Sequence, residues 1–488
     1  MTLTTALRSA TSALSSHSQQ ISTISRNISG VGDPTYVRRN SDVYTSFFGS
    51  TRVETQRLVN QSVHGSSLVA NAEAAGANAL ALGIDRVASL QQLESFAFSP
   101  SSLLASLQQS VEFAAAAPSD QATLSSLVEQ ARTVSSALNS SYDEVLSMRT
   151  QADKEISNSV ASINALLTQI EEVNNEIVGG AQQGKDLFDS MDVRDQLINQ
   201  LSEEIGINLI PAANNDIIIT TDSGALLFEG KPRDVVFEPT SSFGPTTSGN
   251  QLRIDGVVVS GPDAVLELKS GKIAGNLSLR DDFLVQQKNQ LDEVARGLVD
   301  LFAEEDQTGG GKPKLVGLFT WSGGPNVPAA GTLEVGIASS IRINPVVNPE
   351  VGGNPEFIRD GALNSDPDYL YNIDGGVGYS DRLFALAAKF EEVASFDPSA
   401  GLPANQSLTG FAASSLDQLN SKRASALDSR DFRNEVANQF LQTLQSETGV
   451  NLDYELSRML EVERTYQANA RILNAVDDML ITLLDVAR

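Results

Sequence analysis

The sequence has 488 residues but no cysteine, one tryptophan, two histidines and far fewer basic residues than acidic ones. Without cysteine, the chain has no disulfides, no zinc–thiolate sites and no cysteine nucleophile. Its 34 basic and 61 acidic residues give a net charge of -27. Because such a surface repels phosphate backbones, nucleic acid is not an expected partner.

Long apolar runs are also lacking. No stretch approaches the ~18 apolar residues that would span a bilayer, so membrane insertion is not expected. The N-terminal segment lacks the apolar block and cleavage site of a secretory signal. If the protein leaves the cell, we expect a route that does not read such a signal. The length predicts about three domains of ~150 residues.

The scarcity of histidine limits the possible chemistry. A Ser-His-Asp triad or a multi-histidine metal site would have to use His17 or His64. The loop "TGGGKPK" lacks the first Gly of a phosphate loop and has Pro313 where Ser or Thr should bind magnesium. The loop "NSDPDYLYNIDGG" has Tyr371 where an EF-hand requires Gly, and turns explain its acids. We therefore predict no catalytic residue, no cofactor and no metal site.

Both ends of the chain carry apolar residues at alternating spacings of three and four. This spacing predicts a coiled-coil seam in each end, with the last helix packed on the first. The alternative is two ordinary amphipathic helices docked on one globular core. The seams are formed by Leu3, Leu7, Ala10, Leu14, His17, Ile21, Ile24 and Ile28, and by Met459, Val462, Tyr466, Asn469, Leu473, Val476, Leu480, Leu483 and Ala487.

The remaining surface of the first helix is neutral. Apart from the charges of Arg8 and Arg26, it consists mostly of Ser, Thr, Gln and Ala, which predicts crowded surroundings rather than open solvent. His17 within the seam fits a polar residue that fixes the register. The alternative is that His17 titrates and loosens the seam in acid. The predicted assembly interface consists of Leu3, Leu7, Leu14, Ile21, Ile24, Ile28, Met459, Val462, Tyr466, Leu473, Val476, Leu480 and Leu483.

The middle of the chain changes from helix to strand and back. A helix is predicted over residues 119–178, with Pro118 as the break and Ser119 as the cap, and it carries another apolar seam. Short β-rich runs begin at Ile217, and turn-rich β sequence occupies residues 315–378. The predicted fold class is α+β: a terminal helical coiled-coil domain and a long helical bundle with an inserted antiparallel β domain.

Three domains are predicted from these segments. The terminal coiled-coil assembly domain takes residues 1–66 plus 447–488. The helical rod domain takes residues 67–210 plus 272–311 plus 379–446. Residues 211–271 plus 312–378 form a β-rich outer domain, or two such domains.

The segment "ISTISRNISGVGDPTYVRRN" resembles the N-terminal signature of axial proteins of the bacterial flagellum. Thr35 departs from that pattern, since the family usually has Gly before the aromatic residue. The segment "YQANARILNAVDDMLITLL" resembles the matching C-terminal signature. The signature residues are Asn27, Ile28, Pro34, Tyr36, Arg38 and Arg39 at one end, and Gln467, Asn469 and Arg471 at the other.

The helical middle is similar to the hook-associated junction subunits of this family. The motif "MDVRD" keeps Asp192, Arg194 and Asp195 of the family pattern. This resemblance implies a structural adaptor between hook and filament, not an enzyme, which polymerises through its terminal helices. It implies export through the flagellar type III apparatus, an export chaperone, and an extracellular place in the flagellum.

The implied partners are the hook protein, a second hook–filament junction protein and copies of the chain in a helical ring. Two alternatives stay open. The chain could be a hook or rod subunit, which shares the terminal signatures but lacks the long helical middle. It could also be a secreted enzyme or adhesin whose β domain is carried on helical ends.

Overall fold

The computed structural model describes residues 3–33, 35–45, 51–92, 100–183 and 185–486. Helices dominate these residues, which confirms the helical part of the predicted fold class. In chain order the helices are α1 (Leu3–Ser29), α2 (Gln61–Gln92), α3 (Pro100–Ala116), α4 (Gln121–Ala181), α5 (Phe188–Glu204), α6 (Lys272–Ser278), α7 (Leu284–Leu301), α8 (Ile337–Ser340), α9 (Phe357–Asp360), α10 (Asp381–Lys389), α11 (Leu408–Thr448) and α12 (Leu452–Val486).

The strands are short and pair antiparallel in every sheet, which confirms the predicted β insertion as several small sheets. Strands β1 and β2 form a hairpin, and three-stranded sheets follow in the orders β3-β4-β5 and β6-β7-β8. Strand β9 pairs with β10, and β11 with β12. The strands are β1 (Arg39–Thr45), β2 (Thr51–Arg57), β3 (Ile207–Pro211), β4 (Ile217–Thr221), β5 (Leu226–Glu229), β6 (Val235–Val236), β7 (Arg253–Ile254), β8 (Val257–Val258), β9 (Phe319–Thr320), β10 (Arg342–Ile343), β11 (Ala394–Ser395) and β12 (Asn405–Gln406).

The long helix predicted over residues 119–178 is confirmed as α4, which has 61 residues and a length of about 90 Å at ~1.5 Å per residue. Its cap differs from the prediction: Asp120, not Ser119, accepts the backbone N–H of Ala122 at 2.9 Å. The apolar seam along α4 is buried throughout, at Ile156, Val160, Ile163, Leu167, Ile170, Asn174 and Ile177.

The chain folds into two compact units. The first unit groups residues 1–74, 162–234 and 433–488, and the second groups residues 75–161 and 235–432. The sheet β3-β4-β5 belongs to the first unit and β6-β7-β8 to the second. The division into three domains made from the sequence stays a prediction. None of the helices in the described ranges is long and apolar enough to cross a membrane.

The second unit has a continuous apolar core built from α3, α4, α7, α10 and the start of α11. Phe302 lies at its centre, with its ring edge-on to Phe319 at 5.3 Å and to Phe390 at 5.9 Å between centroids. Phe396 stacks on Phe411 with centroids 4.2 Å apart. Large aromatic side chains buried in contact supply much of the stabilisation of such a core.

Residues 312–378 fold mostly through turns. Their strands are β9 and β10, each of two residues. Three short 3-10 turns begin with a Pro, and the side chains of Asn344, Asn348 and Asp366 accept the N–H two residues later. The Asn-Pro and Asp-Pro pairs in the sequence therefore produce capped turns rather than strand ends.

Candidate assembly interface

In the first unit, α1 packs along α12, so the prediction that the last helix packs on the first is confirmed. Four seam residues, Ala10, Ile24, Val462 and Val476, are buried in this contact region. Tyr466 is 39% exposed. The others are partly buried: Leu7, Leu14, Ile21, Ile28, Met459, Leu473 and Leu480. Leu3 and Leu483 lie in the helices, but their side chains fall outside the described part of the chain.

A second face of α1 contacts the hairpin β1-β2 through small polar side chains. The Ser12 hydroxyl donates to the Thr51 carbonyl at 3.1 Å, and the Ser16 hydroxyl donates to the Thr51 hydroxyl at 2.9 Å. Further along, the Gln20 amide donates to the Ser41 carbonyl at 3.1 Å. Because α1 has neighbours on two faces, little of its surface is left for charged side chains, and its hydroxyls bond to the hairpin.

Asn27 joins the end of α1 to the start of β1. Its side-chain NH₂ donates to the Arg39 carbonyl at 2.8 Å, while its oxygen accepts the Tyr36 hydroxyl at 2.9 Å and the Arg39 N–H at 3.1 Å. Gly30 makes the turn possible, because a Cβ there would lie 2.5 Å from the Tyr36 ring. The signature residues Asn27, Tyr36 and Arg39 thus form one hydrogen-bonded group.

The turn between these residues contains Thr35, where the family usually has Gly. Asp33 accepts both the N–H of Thr35, at 2.9 Å, and its hydroxyl, at 2.6 Å. These hydrogen bonds lower the pKa of Asp33. Thr35 therefore closes the turn with its side chain, as Ser and Thr commonly do. The signature residue Pro34 lies outside the described residues.

Arg39 is buried, with 1% of its surface exposed, and forms ion pairs with two acids of α5. Its Nη2 donates to Asp189 and, at 3.3 Å, to Asp192. Its guanidinium also lies over the rings of Tyr36 and Phe188, at 4.9 and 5.5 Å. Burial lowers the pKa of Arg39, but the bond to Asp189 and the neighbouring charges raise it above its usual value.

The motif "MDVRD" is the surface on which the hairpin docks. Asp192 accepts from Arg57 at 2.6 Å as well as from Arg39, and Asp195 accepts from Arg57 at 2.8 Å. Burial raises the pKa of Asp192 in spite of the two arginines. A buried carboxylate between two buried guanidiniums fixes the position of the hairpin, because moving either partner leaves a buried charge unpaired.

Arg194, the fourth residue of the motif, bonds to groups outside the hairpin. It donates to the Asn174 side chain at 2.8 Å and to the Asn215 carbonyl at 2.6 Å. Asn174 in turn donates to Asp216 at 2.7 Å. Burial lowers the pKa of Arg194. The three retained charges of the motif therefore hold α5 to the hairpin on one side and to α4 on the other.

Arg38 connects the N-terminal signature to the start of α12. Its Nε donates to Glu455 at 2.7 Å, its backbone N–H donates to the Thr448 carbonyl at 2.8 Å, and its guanidinium lies 4.5 Å from the Tyr454 ring centroid. Arg458 adds hydrogen bonds to Asn40 at 2.6 Å and to the Ser41 carbonyl at 3.1 Å. Two arginines, one from each end of the chain, thus hold the N-terminal signature against the start of α12.

The C-terminal signature residues lie on α12. Gln467 and Arg471 are exposed, and Asn469 is partly buried. Among the described residues, no hydrogen bond or ion pair involves these three side chains. What they contribute stays a prediction.

Large apolar side chains of α12 remain exposed on both sides of the seam. Because successive residues turn by about 100° in a helix, Leu456, Leu460 and Ile481 lie on one side of it and Ile472 and Met479 on the other. They are between 44% and 56% exposed. We call these two groups the apolar flanks of α12. Their number on one surface helix exceeds the scattered exposed residues that need no explanation.

The residues weighed for chemistry have ordinary structural partners. His17 lies 3.1 Å from Gln20 of its own helix, and burial lowers the pKa of His64. Across the described ranges, no group of three or more His, Asp and Glu side chains is arranged to hold a metal ion. Whether His17 fixes the seam or loosens it in acid stays a hypothesis.

The two loops that resembled ligand sites hold each other in the second unit. Asp306 accepts the backbone N–H of Thr308 at 2.8 Å and that of Lys312 at 3.1 Å. Its hydrogen bonds lower the pKa of Asp306 to about 2. The Lys312 ammonium pairs with Asp366 at 3.0 Å and Asp368 at 2.5 Å. The acids thus neutralise a lysine of the neighbouring loop.

Comparisons with known proteins point in one direction. Residues 91–313 match the family model "Flagellar hook-associated protein FlgK helical domain", and residues 441–486 match "Flagellar basal body rod FlgEFG protein C-terminal". The flagellar hook-associated protein 1 of Escherichia coli K12 is 24% identical over 395 residues, which are 68% of this chain and 71% of that protein. The Bacillus subtilis protein of the same name is 21% identical over 72% of this chain and 69% of its own length.

The Salmonella typhimurium protein of that name is 27% identical over a shorter region, 33% of this chain and 29% of its own length. Among solved structures, the flagellar hook junction protein FlgK from Burkholderia pseudomallei superposes with a TM-score of 0.59. That alignment covers 79% of this chain and all of the other, at 11% identity. At such low identity the superposition shows the fold alone.

Proposed function

Because the chain belongs to the family of flagellar hook-associated protein 1, we propose that it joins the flagellar hook to the filament and polymerises through α1 and α12. In this proposal its partners are the hook protein, a second hook–filament junction protein and copies of itself in a helical ring. A flagellar export chaperone holds the chain before export through the type III apparatus. The chain then works outside the cell as a structural subunit, without catalytic activity.

The observation that carries the polymerisation is the pair of apolar flanks on α12. The seam between them is already used within the chain, so each flank is available to a different neighbouring copy. A contact repeated head to tail in this way generates a ring or a helix. Covering the flanks contributes roughly 25 cal/mol for each Å² of apolar surface removed from water.

One substitution on each flank tests this arrangement. In a strain lacking the gene, the wild-type chain is expected to restore filaments, and Leu460→Asp and Ile472→Asp are expected to leave finished hooks without filaments. Val265→Asp is the matched control, since Val265 is an exposed apolar residue of the second unit, at 79%. Electron microscopy of cells and assay of filament protein in the medium supply the readout.

The seam supplies a second pair of variants. Leu14→Asp and Leu480→Asp place a charge in the contact of α1 with α12 and are expected to abolish assembly while the second unit stays folded. Normal filaments in all four variants would rule out polymerisation through these helices.

The strain without the gene separates the alternatives. Hooks that lack filaments, with filament protein lost to the medium, support the junction role. The absence of hooks would instead assign the chain to the hook or rod. Normal flagella would overturn the axial function and favour an enzyme or adhesin.

A further inference from the structure

The second unit contains a cavity of about 1120 Å³ that the proposed assembly does not use. It is lined by residues 245–251 and 260–263, by Arg149 of α4, and by residues of the π-helical turn Leu279–Phe283 and of α7. Its volume is slightly above the usual range for small-molecule sites, roughly 300–1,000 Å³. Turns of π-helix are themselves frequent at functional sites.

Two buried cations that line the cavity have N–H groups without an acceptor in the part of the chain that the structure describes. Arg149 donates from Nε to the Arg280 carbonyl at 3.0 Å and from Nη1 to the Thr247 carbonyl at 3.1 Å. The Lys288 ammonium donates to the Pro245 carbonyl at 3.1 Å. A guanidinium carries five N–H groups and an ammonium three. Three N–H groups of Arg149 and two of Lys288 therefore have no hydrogen-bond acceptor among the described residues.

Arg280, the third buried cation of the lining, uses four of its five N–H groups. It pairs with Asp153 at 2.6 Å and with Asp281 at 2.7 Å, and it donates to the Asn250 carbonyl at 3.1 Å. Gly249 passes directly over it, since a Cβ at that position would lie 2.3 Å from the guanidinium carbon. Arg280 therefore anchors the loop, and Arg149 and Lys288 are the cations left to meet a ligand.

Asp292, the acid paired with Lys288, accepts its hydrogen bonds from backbone N–H groups rather than from the ammonium. Asp292 lies 3.9 Å from the ammonium, beyond hydrogen-bond distance, and its two oxygens accept the backbone N–H groups of Gly336 and Ala338 at 3.1 and 3.0 Å. Burial lowers the pKa of Lys288, Asp292 opposes this, and repulsion by Arg149 lowers it further. Both cations are buried and line the same cavity, and two like charges there attract an anion placed between them.

The rest of the lining mixes polar side chains with apolar ones such as Val285 and Leu333, and its charges are nearly balanced. Arg253 is a fourth cation of the lining, beside Arg149, Arg280 and Lys288. The acids of the lining are Glu238, Asp263 and Asp281, so cations outnumber acids there in a protein of net charge -27. Uncharged hydrogen-bonding side chains complete the wall at Thr246, Thr247, Ser248, Asn250, Gln251, Ser260, Asn289 and Ser399. Hydroxyl and amide groups of this kind both donate to and accept from a hydroxylated ligand.

We propose that this cavity binds a small oxyanion, a carboxylate or phosphate group, between Arg149 and Lys288. The anion accepts hydrogen bonds from open N–H groups of both cations and neutralises part of their charge. Charge-assisted bonds of this kind are shorter and stronger than neutral ones. The cavity has room beyond the charged group, and residues with hydroxyl and amide side chains are among those that line it.

Isothermal titration calorimetry of the full chain tests the proposal with three probes. Glucuronate carries a carboxylate on a hydroxylated body, inorganic phosphate carries the charge alone, and glucose is the uncharged control. We expect saturable binding of glucuronate, phosphate or both, and none of glucose. Preference between the two anions identifies the source of the oxyanion. No saturable binding of either anion at millimolar concentration, or equal binding of glucose, overturns the proposal.

Variants locate the site. Lys288→Met keeps the buried carbon chain but removes the ammonium, and we expect at least about tenfold weaker binding, which is ~1.4 kcal/mol. Arg253→Gln removes an exposed cation at the rim and is expected to bind like the wild type. Circular dichroism checks the fold of both. Unchanged affinity in folded Lys288→Met contradicts the site.

A second variant keeps the test decisive if Lys288→Met does not fold. Ser248 is exposed at the mouth of the cavity, so Ser248→Trp can fill the cavity without removing a buried group. Loss of anion binding in Ser248→Trp supports the assignment, and unchanged binding refutes it.

Discussion

The two compact units differ in where their large apolar side chains lie. The second is organised around buried aromatic rings, with Phe302 in contact with Phe319 and Phe390. In the first, hydroxyls, amides and buried ion pairs hold the hairpin and the ends of α1 and α12, and the flanks of α12 remain apolar and exposed. Polar contacts specify position well but add only about 0.5–1.5 kcal/mol each in net stability. The aromatic rings around Phe302 are covered within the second unit, whereas large apolar side chains of α12 are left exposed.

The largest expected effect tests the aromatic core. Phe302→Ala removes a fully buried ring from the second unit and is expected to lower the free energy of unfolding by about 3–5 kcal/mol. Chemical denaturation followed by hydrogen exchange in α7 measures this loss. Phe384→Ala is the control, because Phe384 is 55% exposed on α10 of the same unit. Equal losses in the two variants would contradict the assigned core.

Two acids that contact the same arginine test the polar region. Asp192 and Asp189 both pair with Arg39, but their side chains are 11% and 84% exposed. Asp192→Asn is expected to cost about 2–5 kcal/mol, since Arg39 and Arg57 lose a buried charged partner. Asp189→Asn should cost under about 1 kcal/mol, as exposed pairs do. Hydrogen exchange in β1 and β2 measures both, and a larger effect at Asp189 would refute this account.

The second unit should also show a pH dependence centred on Asp292. Burial raises its pKa from 3.8 to about 6. Between those values the folded state binds more protons than the unfolded chain, so the free energy of unfolding falls as the pH rises through this window. A shift of about two units corresponds to roughly 3 kcal/mol.

Denaturant unfolding of the wild type and of Asp292→Asn from pH 4 to 7 tests this dependence. The wild type should lose stability relative to the variant as the pH rises. Asp417→Asn, an exposed substitution in α11, controls for the general loss of an acid. A difference between wild type and Asp292→Asn that stays constant over this range would contradict the prediction.

The smallest effect separates the ring of Tyr36 from its hydroxyl. Tyr36→Phe removes the hydrogen bond to Asn27 but keeps the ring over Gly30 and beneath Arg39. We expect a loss of about 0.5–1.5 kcal/mol. Hydrogen-exchange protection at the end of α1 measures this loss of stability. Tyr44→Phe is the control, because Tyr44 is an exposed residue of β1 and its substitution should leave that protection unchanged.

The sequence predicts the long helices and the pairing of α1 with α12, because apolar spacing repeats strongly over many turns. It did not predict the hairpin β1-β2, whose strands carry polar residues such as Ser41 and Thr55 in place of an apolar face. Those residues bond to each other and to the hydroxyls of α1. Hydropathy cannot detect a strand whose buried side is polar.

The sequence also could not predict which residues form the ion pairs of the candidate interface. Arg39 and Asp192 both belong to recognised motifs, yet they are separated by 153 residues, and nothing in either motif specifies the other as its partner. In residues 312–378 the Gly, Pro and Asn content correctly indicates turns. The same content could not show that capped 3-10 turns replace most of the strands there. Gly, Pro and Asn are found both in such turns and at the ends of strands.

The bond from Arg38 to Glu455 joins residues 417 positions apart, which bears on the order of folding. Closing so long a loop costs conformational entropy before the contacts between its ends contribute any stability. A high contact order therefore slows folding. The local contacts along α4 should therefore form first and bring the two ends of the chain within reach. Pulse-labelling hydrogen exchange during refolding should show α4 protected before α1, and simultaneous protection would contradict this order.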